Sequence, residues 1–264
     1  MENWLGMIPA AGALLRPSDP PPVRIENPSG RSPFLFLGDH AGQAVPQQLQ
    51  MLGLESAELT RHIGWDIGVG DLGRCLAKAM DATFIHQTYS RLVVDCNRAP
   101  DSAGALPKLS DGTEVPGNRD LDARAVDQRI AAIHRPYHLA IRGELEKRGA
   151  ADRPTVLVAL HSFTDRMAGV ARPWHIGILH DGGDPRFART LLNGLREIEG
   201  LEVGDNQPYR LDSIDYTIPL HAYASRIPYA EIEIRQDLLA TAEGIARWCD
   251  LLRTALCAAL ASAP

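Results

Sequence analysis

Two histidines stand where metal chemistry would need them. His40 comes just after the apolar run at residues 33–38 (PFLFLG), and His161 directly follows a second run at residues 155–160 (TVLVAL). Short apolar runs bounded by turn formers suit strands buried on both faces of a mostly parallel sheet. Side chains just past the carboxyl ends of such strands converge on the ligand crevice. Two imidazoles from separate strands plus one carboxylate make the open tripod of a catalytic zinc site, leaving a position for water, whose pKa such an ion brings to about 7. Asp66, in the exposed-looking turn Gly64-Trp65-Asp66 before a helix, is the expected third ligand, with Asp39 as fallback. For each histidine taken alone, the plain alternative is a hydrogen-bonded structural group.

Hydrolysis also needs a proton carrier. In Glu231-Ile232-Glu233-Ile234-Arg235 the period of two puts Glu231, Glu233 and Arg235 on one strand face. A carboxylate facing water on a metal takes its proton and passes it to the leaving amine, the role expected of Glu233. The competing reading is an exposed strand face with a surface ion pair. Arg91, Asn97 and Arg98 cluster around a further expected strand at residues 92–94. A guanidinium is a planar fork that matches carboxylates, so Arg91 and Arg98 are expected to orient an acidic substrate.

The surrounding pattern supplies elements to hold these groups. Val69, Leu72, Leu76 and Met80 recur at helical spacing, and residues 83–85 read as a strand. Residues 99–120 form a long loop rich in proline, glycine and charge, which suits a lid. Val126, Ile130, Ile133, Tyr137, Ile141 and Leu145 mark a long amphipathic helix. Asp184-Pro185 reads as a capped helix start, with Phe187, Leu191, Leu195 and Ile198 on one face and Gly200 at the end. Residues 231–234 read as a half-buried strand, and Ile245, Cys249, Leu252, Leu256 and Leu260 as a closing helix. Strands alternate with helices throughout, which implies a layered α/β fold.

The ordered set Asn27-Pro28, Gly38-Asp39-His40-Ala41-Gly42, Trp65-Asp66, Tyr89-Ser90-Arg91, Asp95-Cys96-Asn97-Arg98, Pro136-Tyr137-His138, Leu160-His161-Ser162 and residues 231–236 resembles the N-formylglutamate amidohydrolase family. The resemblance runs from about residue 25 to about residue 245. It implies the zinc-carboxypeptidase and aspartoacylase type of fold: a three-layer α/β sandwich with a central mixed, mostly parallel sheet between helices. It further implies His40 and His161 as zinc ligands, Glu233 as general base and acid, and Asn97 with Arg98 as the clamp on the substrate carboxylate; Arg91 is expected to act in catalysis, and Ser162 and Arg235 in substrate binding. The wider fold group takes its glutamate ligand three residues after the first histidine; Gln43 stands there, and Asp66 is the replacement. The expected reaction is hydrolysis of an N-acyl, first N-formyl, acidic amino acid, with Zn2+ or another divalent transition metal. The rivals are a related hydrolase for another N-acyl amino acid or short peptide, and a metal-free binding protein.

Composition narrows the rest. The 264 residues are 45% apolar, enough for one large domain, expected over residues 23–264 behind a flexible segment at 1–22. A net charge of −6 argues against nucleic acid or an anionic membrane as partner, leaving a small molecule, with the oligomeric state open. Cys75, Cys96, Cys249 and Cys257 form no CxxC pair, and Cys249 and Cys257 read as small hydrophobes in a helix, so a reducing, cytoplasmic setting is expected. The opening stretch to Leu15 lacks a basic start and is too short to span a membrane. Gly68, Gly70 and Gly73 match a dinucleotide pattern but follow no strand, so a nucleotide role is set aside. His175 and His180 would face opposite ways on one strand, with His175 still able to line the pocket. His138 reads as a structural or supporting histidine, and the turn at residues 181–184 as helix capping rather than a calcium loop.

Overall fold

The apolar runs become the middle of a seven-stranded sheet. In the computed structural model, which describes residues 13–262, the strands are β1 (Val23–Glu26), β2 (Phe34–Gly38), β3 (Thr83–Gln87), β4 (Val156–Phe163), β5 (Ile176–Leu179), β6 (Val203–Asp205) and β7 (Tyr229–Arg235). Their spatial order is β1-β3-β2-β4-β7-β5-β6. The pairings β3/β2, β2/β4, β4/β7 and β5/β6 are parallel, while β1/β3 and β7/β5 are antiparallel. The sheet is therefore mixed and mostly parallel, as expected.

Period-two geometry splits each central strand between two cores. Phe34, Phe36, Val156, Val158, Leu160, Ile232 and Ile234 pack on one side with α1 (Val69–Ala79), α3 (Arg186–Arg196) and α4 (Ala242–Ser262). Leu35, Leu37, Leu157, Ala159 and Tyr229 pack on the other with Tyr137 and Ile141 of α2 (Arg135–Ala150). Helices thus cover both faces, the three-layer α/β sandwich. The glycines of the dinucleotide-like pattern serve this packing. A Cβ on Gly73 would lie 2.3 Å from the Phe84 ring, and one on Gly68, at φ +83°, would lie 2.4 Å from Leu239.

Several local expectations change. Residues 92–94 are buried but form no strand: Leu92 and Val93 lie in a turn in which Val93 N bonds back to Ser90 O. β4 runs past residue 160 to Phe163, so His161 lies inside the strand. β7 is central and buried through Ile234, so the polar alternation at 231–234 marks an internal polar site instead of solvent. The long helix comprises Ala123–Arg129, a wider turn at Ile130–His134, and α2; the widening precedes Pro136, which has no N–H to donate. The Asp184 carboxylate is held by the Arg186 side chain at 2.6 and 2.8 Å, and the backbone N–H of Arg186 reaches it only at 3.4 Å. Cys249 is no isolated hydrophobe: it forms a disulfide with Cys75, fastening α4 to α1 across a separation of 174 residues. Residues 16–22, expected to be a loose lead-in, are tied down, since Tyr89 donates to Pro20 O and Thr88 N to Pro22 O. Residues 1–12 lie outside the described residues. Among the described residues no helix is long and apolar enough to cross a membrane.

Candidate active site

Strand register brings the distant groups together. Leu37 pairs with Ala159, so His40, just past β2, lies beside His161 on β4, and Glu233 on β7 is the direct partner of His161. Asp66 is carried in by its turn, whose backbone N–H bonds His40 O at 2.9 Å. These four side chains are all buried, Asp66 included despite its exposed-looking sequence. They line a cavity of about 370 Å³ above the second core, where the polar upper ends of β2, β4 and β7 replace the apolar lower rungs.

The two imidazole rings stand 5.0 Å apart. One ligand atom from each of His40, Asp66 and His161 lies within 4.8 Å of the others, a group able to hold a metal ion. Behind each ring stands a further carboxylate, Asp95 Oδ1 at 2.7 Å from His40 Nε2 and Asp39 Oδ2 at 3.2 Å from His161 Nε2. Such outer carboxylates fix the ring orientation of metal-bound histidines. Asp39 therefore stands behind His161 and outside the group formed by His40, Asp66 and His161.

The electrostatics fit a cation. Burial alone would raise all three aspartates, yet Asp39 is held at about 2 by the hydrogen bond and charge of His161, and Asp66 and Asp95 also lie below the carboxylate range through His40, His161 and Arg91. Against burial, the imidazoles are pushed up, His40 by Asp95 and Asp66, His161 by Asp39 and Asp66. Three buried carboxylates thus gather positive charge around them, from Arg91 and from the raised imidazoles. His40 Nδ1 is buried without a hydrogen-bond partner, as are Glu231 Oε2 and Glu233 Oε2. Burial pushes Glu233 up to about 7 and Glu231 well above its usual range.

The arginine cluster divides into separate tasks. Arg91 lines the cavity and grips Asp95 at 2.8 and 3.1 Å, reaching Asp66 at 3.4 Å, so it braces the carboxylates of the histidine group. Asn97 and Arg98 also line the cavity, but both are engaged. Asn97 Oδ1 accepts from the backbone N–H groups of Tyr216 and Thr217, and its Nδ2 donates to Asp215 at 3.2 Å, as does Arg98 Nη1 at 3.1 Å. Ser162 lines the cavity with its hydroxyl donated to Ile67 O. Arg235 is not brought in: at the end of β7 its guanidinium turns to Asp237 and Pro173 O, outside the cavity lining. Gln43 is exposed and lies outside the cavity lining. His175 accepts from Glu202 N and is also absent from the lining, while His138 supports the site from behind through Cys96 O.

Gly104, Pro107, Ser110 and Asp111 of the long loop form one wall of the cavity, beside His62. Further lining residues, Tyr209, Arg210, Asp212, Ile214 and Asp215, went unnoticed in the sequence. They read there as an ordinary polar connection, and their partner Asn97 lies 118 residues from Asp215, beyond any local pattern.

Comparison with known proteins agrees with this architecture. Residues 32–240 match the sequence model of N-formylglutamate amidohydrolase. An N-formylglutamate deformylase of Pseudomonas putida is 29% identical over 176 residues, 62% of this chain and 61% of that protein, so the match spans less than two thirds of the relative. A gene product of Agrobacterium tumefaciens of known crystal structure is 36% identical, with a TM-score of 0.91 over 94% of this chain and 98% of the other. The N-formylglutamate amidohydrolase from Ralstonia eutropha JMP134 shares the fold at 22% identity, with a TM-score of 0.66 over 89% of this chain and 95% of that one. The breadth of the family match, joined to a buried histidine-aspartate-histidine group under a facing glutamate, places this chain in the N-formylglutamate amidohydrolase family.

Proposed function

We propose that the chain is a metal-dependent amidohydrolase that removes a small acyl group, formyl first, from the nitrogen of an acidic amino acid, N-formyl-L-glutamate being the leading substrate. The observation that carries this reading is the placement of the Glu233 carboxylate on the rung beside His161, in the same cavity as the group formed by His40, Asp66 and His161.

His40, Asp66 and His161 would hold the ion, and a nitrogen-oxygen donor set with two imidazoles suits zinc. When bound, such an ion supplies polarisation of the scissile carbonyl and a lowered pKa for water. The remaining chemistry belongs to side chains of the chain. Glu233, ionised, takes a proton from water in the cavity and returns it to the nitrogen of the leaving amino acid; a pKa near 7 suits both halves of that transfer. Arg91, fixed by Asp95 and Asp66, keeps those carboxylates charged and presents a cation at the wall. Arg98 and Arg210 are the other cationic side chains of the lining apart from histidine and are suited to the carboxylates of the substrate.

The test is a hydrolysis screen of N-formyl and N-acetyl amino acids with zinc-loaded protein, alongside elemental analysis of protein purified without chelator. About one zinc per chain and fastest turnover on N-formyl-L-glutamate are expected. Absence of tight metal together with no turnover after zinc addition would make the protein a binder rather than an enzyme.

A further inference from the structure

The donors best placed to hold a substrate carboxylate already hold one. Asp215 Oδ1 receives both Asn97 Nδ2 at 3.2 Å and Arg98 Nη1 at 3.1 Å, the convergent pair of donors that a carboxylate ligand would take. The carboxylate arrives on a surface segment: Asp212, Ser213 and Ile214 are exposed, Ile214 at 58%. Its other bonds are mostly within that segment, Asp212 N to Asp215 Oδ2 at 3.0 Å and Ile214 N to Asp212 Oδ1 at 2.8 Å, with one long bond from Arg98 Nη1 to Ile214 O at 3.5 Å. By contrast, residues 216 and 217 are fastened to the fold through Asn97 Oδ1, and Thr217 Oγ1 donates to Asp39. The fixed part of the segment therefore ends where Asp215 begins.

Resting on the function proposed above, we infer that Asp215 is a specificity-determining stand-in for the substrate: its carboxylate occupies the position of one substrate carboxylate on Arg98 and Asn97 and is displaced when a dicarboxylate binds. Three features favour displacement over permanent bracing. Arg98 keeps its Nη1 bond to Asn97 O at 2.8 Å, outside the segment, so the guanidinium remains oriented after Asp215 leaves. Asn97 Oδ1 stays bonded to the backbone, so its Nδ2 remains aimed at the vacated position. Asp215 is also poorly accommodated as an anion, since burial raises its pKa despite Arg98, with Asp212 adding like charge. An acid-rich cavity needs such a device, for Asp111 and Asp212 also line it and would repel an anionic ligand that gained no freed cation in exchange.

The experiment compares wild type with Asp215→Asn and Asp215→Ser, two routes to removing the charge. Calorimetry with glutarate, a dicarboxylate without a scissile bond, reads the clamp independently of turnover. About tenfold tighter glutarate binding in both variants is expected, with a matching fall in KM for N-formyl-L-glutamate and little change in kcat. The gain should vanish in the Arg98→Ala background and for an uncharged N-formyl amino amide. Unchanged or weaker glutarate binding in a variant that melts like wild type overturns the inference and makes Asp215 a brace for Arg98. Failure of wild type to hydrolyse N-formyl-L-glutamate would sink the proposed reaction instead, while the glutarate comparison still decides the role of Asp215.

Discussion

Glu233 and His161 occupy the same rung of the parallel ladder between β7 and β4, so the expected base and one expected ligand are fixed by backbone pairing before any side chain chooses a rotamer. Replacing Glu233 by glutamine preserves shape and removes the base. Metal content should stay near wild type while kcat falls by about 10²- to 10⁴-fold. A variant that keeps near wild-type turnover would show that another group moves the proton.

The pH profile follows from the same residue. Burial places Glu233 at about 7, and its ionised form is the active base, so kcat/KM should rise with pH and lose activity on the acid side. A cation beside it favours the charged form, so the acid limb of the loaded enzyme is expected at or below about pH 7. An activity that instead increases as pH falls from 7 to 5 would contradict the assignment.

Metal affinity should depend on the outer carboxylates. Asp95 fixes His40 through Nε2, and removing such a partner typically costs 10- to 100-fold in affinity. Asp95→Asn is therefore expected to release zinc to a chelator at about 10- to 100-fold lower chelator activity than wild type, whereas Asp66→Ala, lacking a ligand, should purify without stoichiometric zinc. Equal retention in all three proteins would place the ion elsewhere.

Asn97 has a structural duty that a substrate clamp alone would not explain. With alanine there, the buried N–H of Thr217 and that of Tyr216 lose their acceptor, at a cost of about 2–3 kcal/mol, or roughly 5–10 °C in Tm. Thermal denaturation of metal-free Asn97→Ala checks this. An unshifted melt would mean that the segment holds itself.

Acid should weaken the fold through a second histidine group behind the site. His138 donates to Cys96 O and contacts His221, and burial between His134 and His221 lowers it from 6.5 to about 3. Its folded pKa is depressed, so on acidification the unfolded chain takes up the proton first. The stability it supports is full above about pH 6.5 and is lost as pH falls toward 3, about 2 kcal/mol by pH 5. His138→Gln should flatten the stability curve between pH 7 and 5 in denaturant titrations; an unchanged slope would assign the acid sensitivity to other groups.

The sequence by itself determined the parts whose signal is local. The runs at 33–38 and 155–160 can be little else than buried strands, and residues at their carboxyl ends must meet in a parallel sheet, which is why His40 and His161 were legible as a pair. Alternation at residues 231–235 put Glu231 and Glu233 on one face, but whether that face met water or a cavity depended on which strands flanked it. Only tertiary structure decided that β7 lies between β4 and β5, turning an apparent surface pattern into a buried one facing the cavity. It likewise decided that Asp66 is buried, that Arg235 leaves the site, that Cys75 reaches Cys249, and that Asp215 reaches Arg98 across 117 residues. The physical reason is common to all of these: hydrophobic period is a property of neighbours along the chain, whereas desolvation and charge pairing are set by whatever the fold brings from elsewhere.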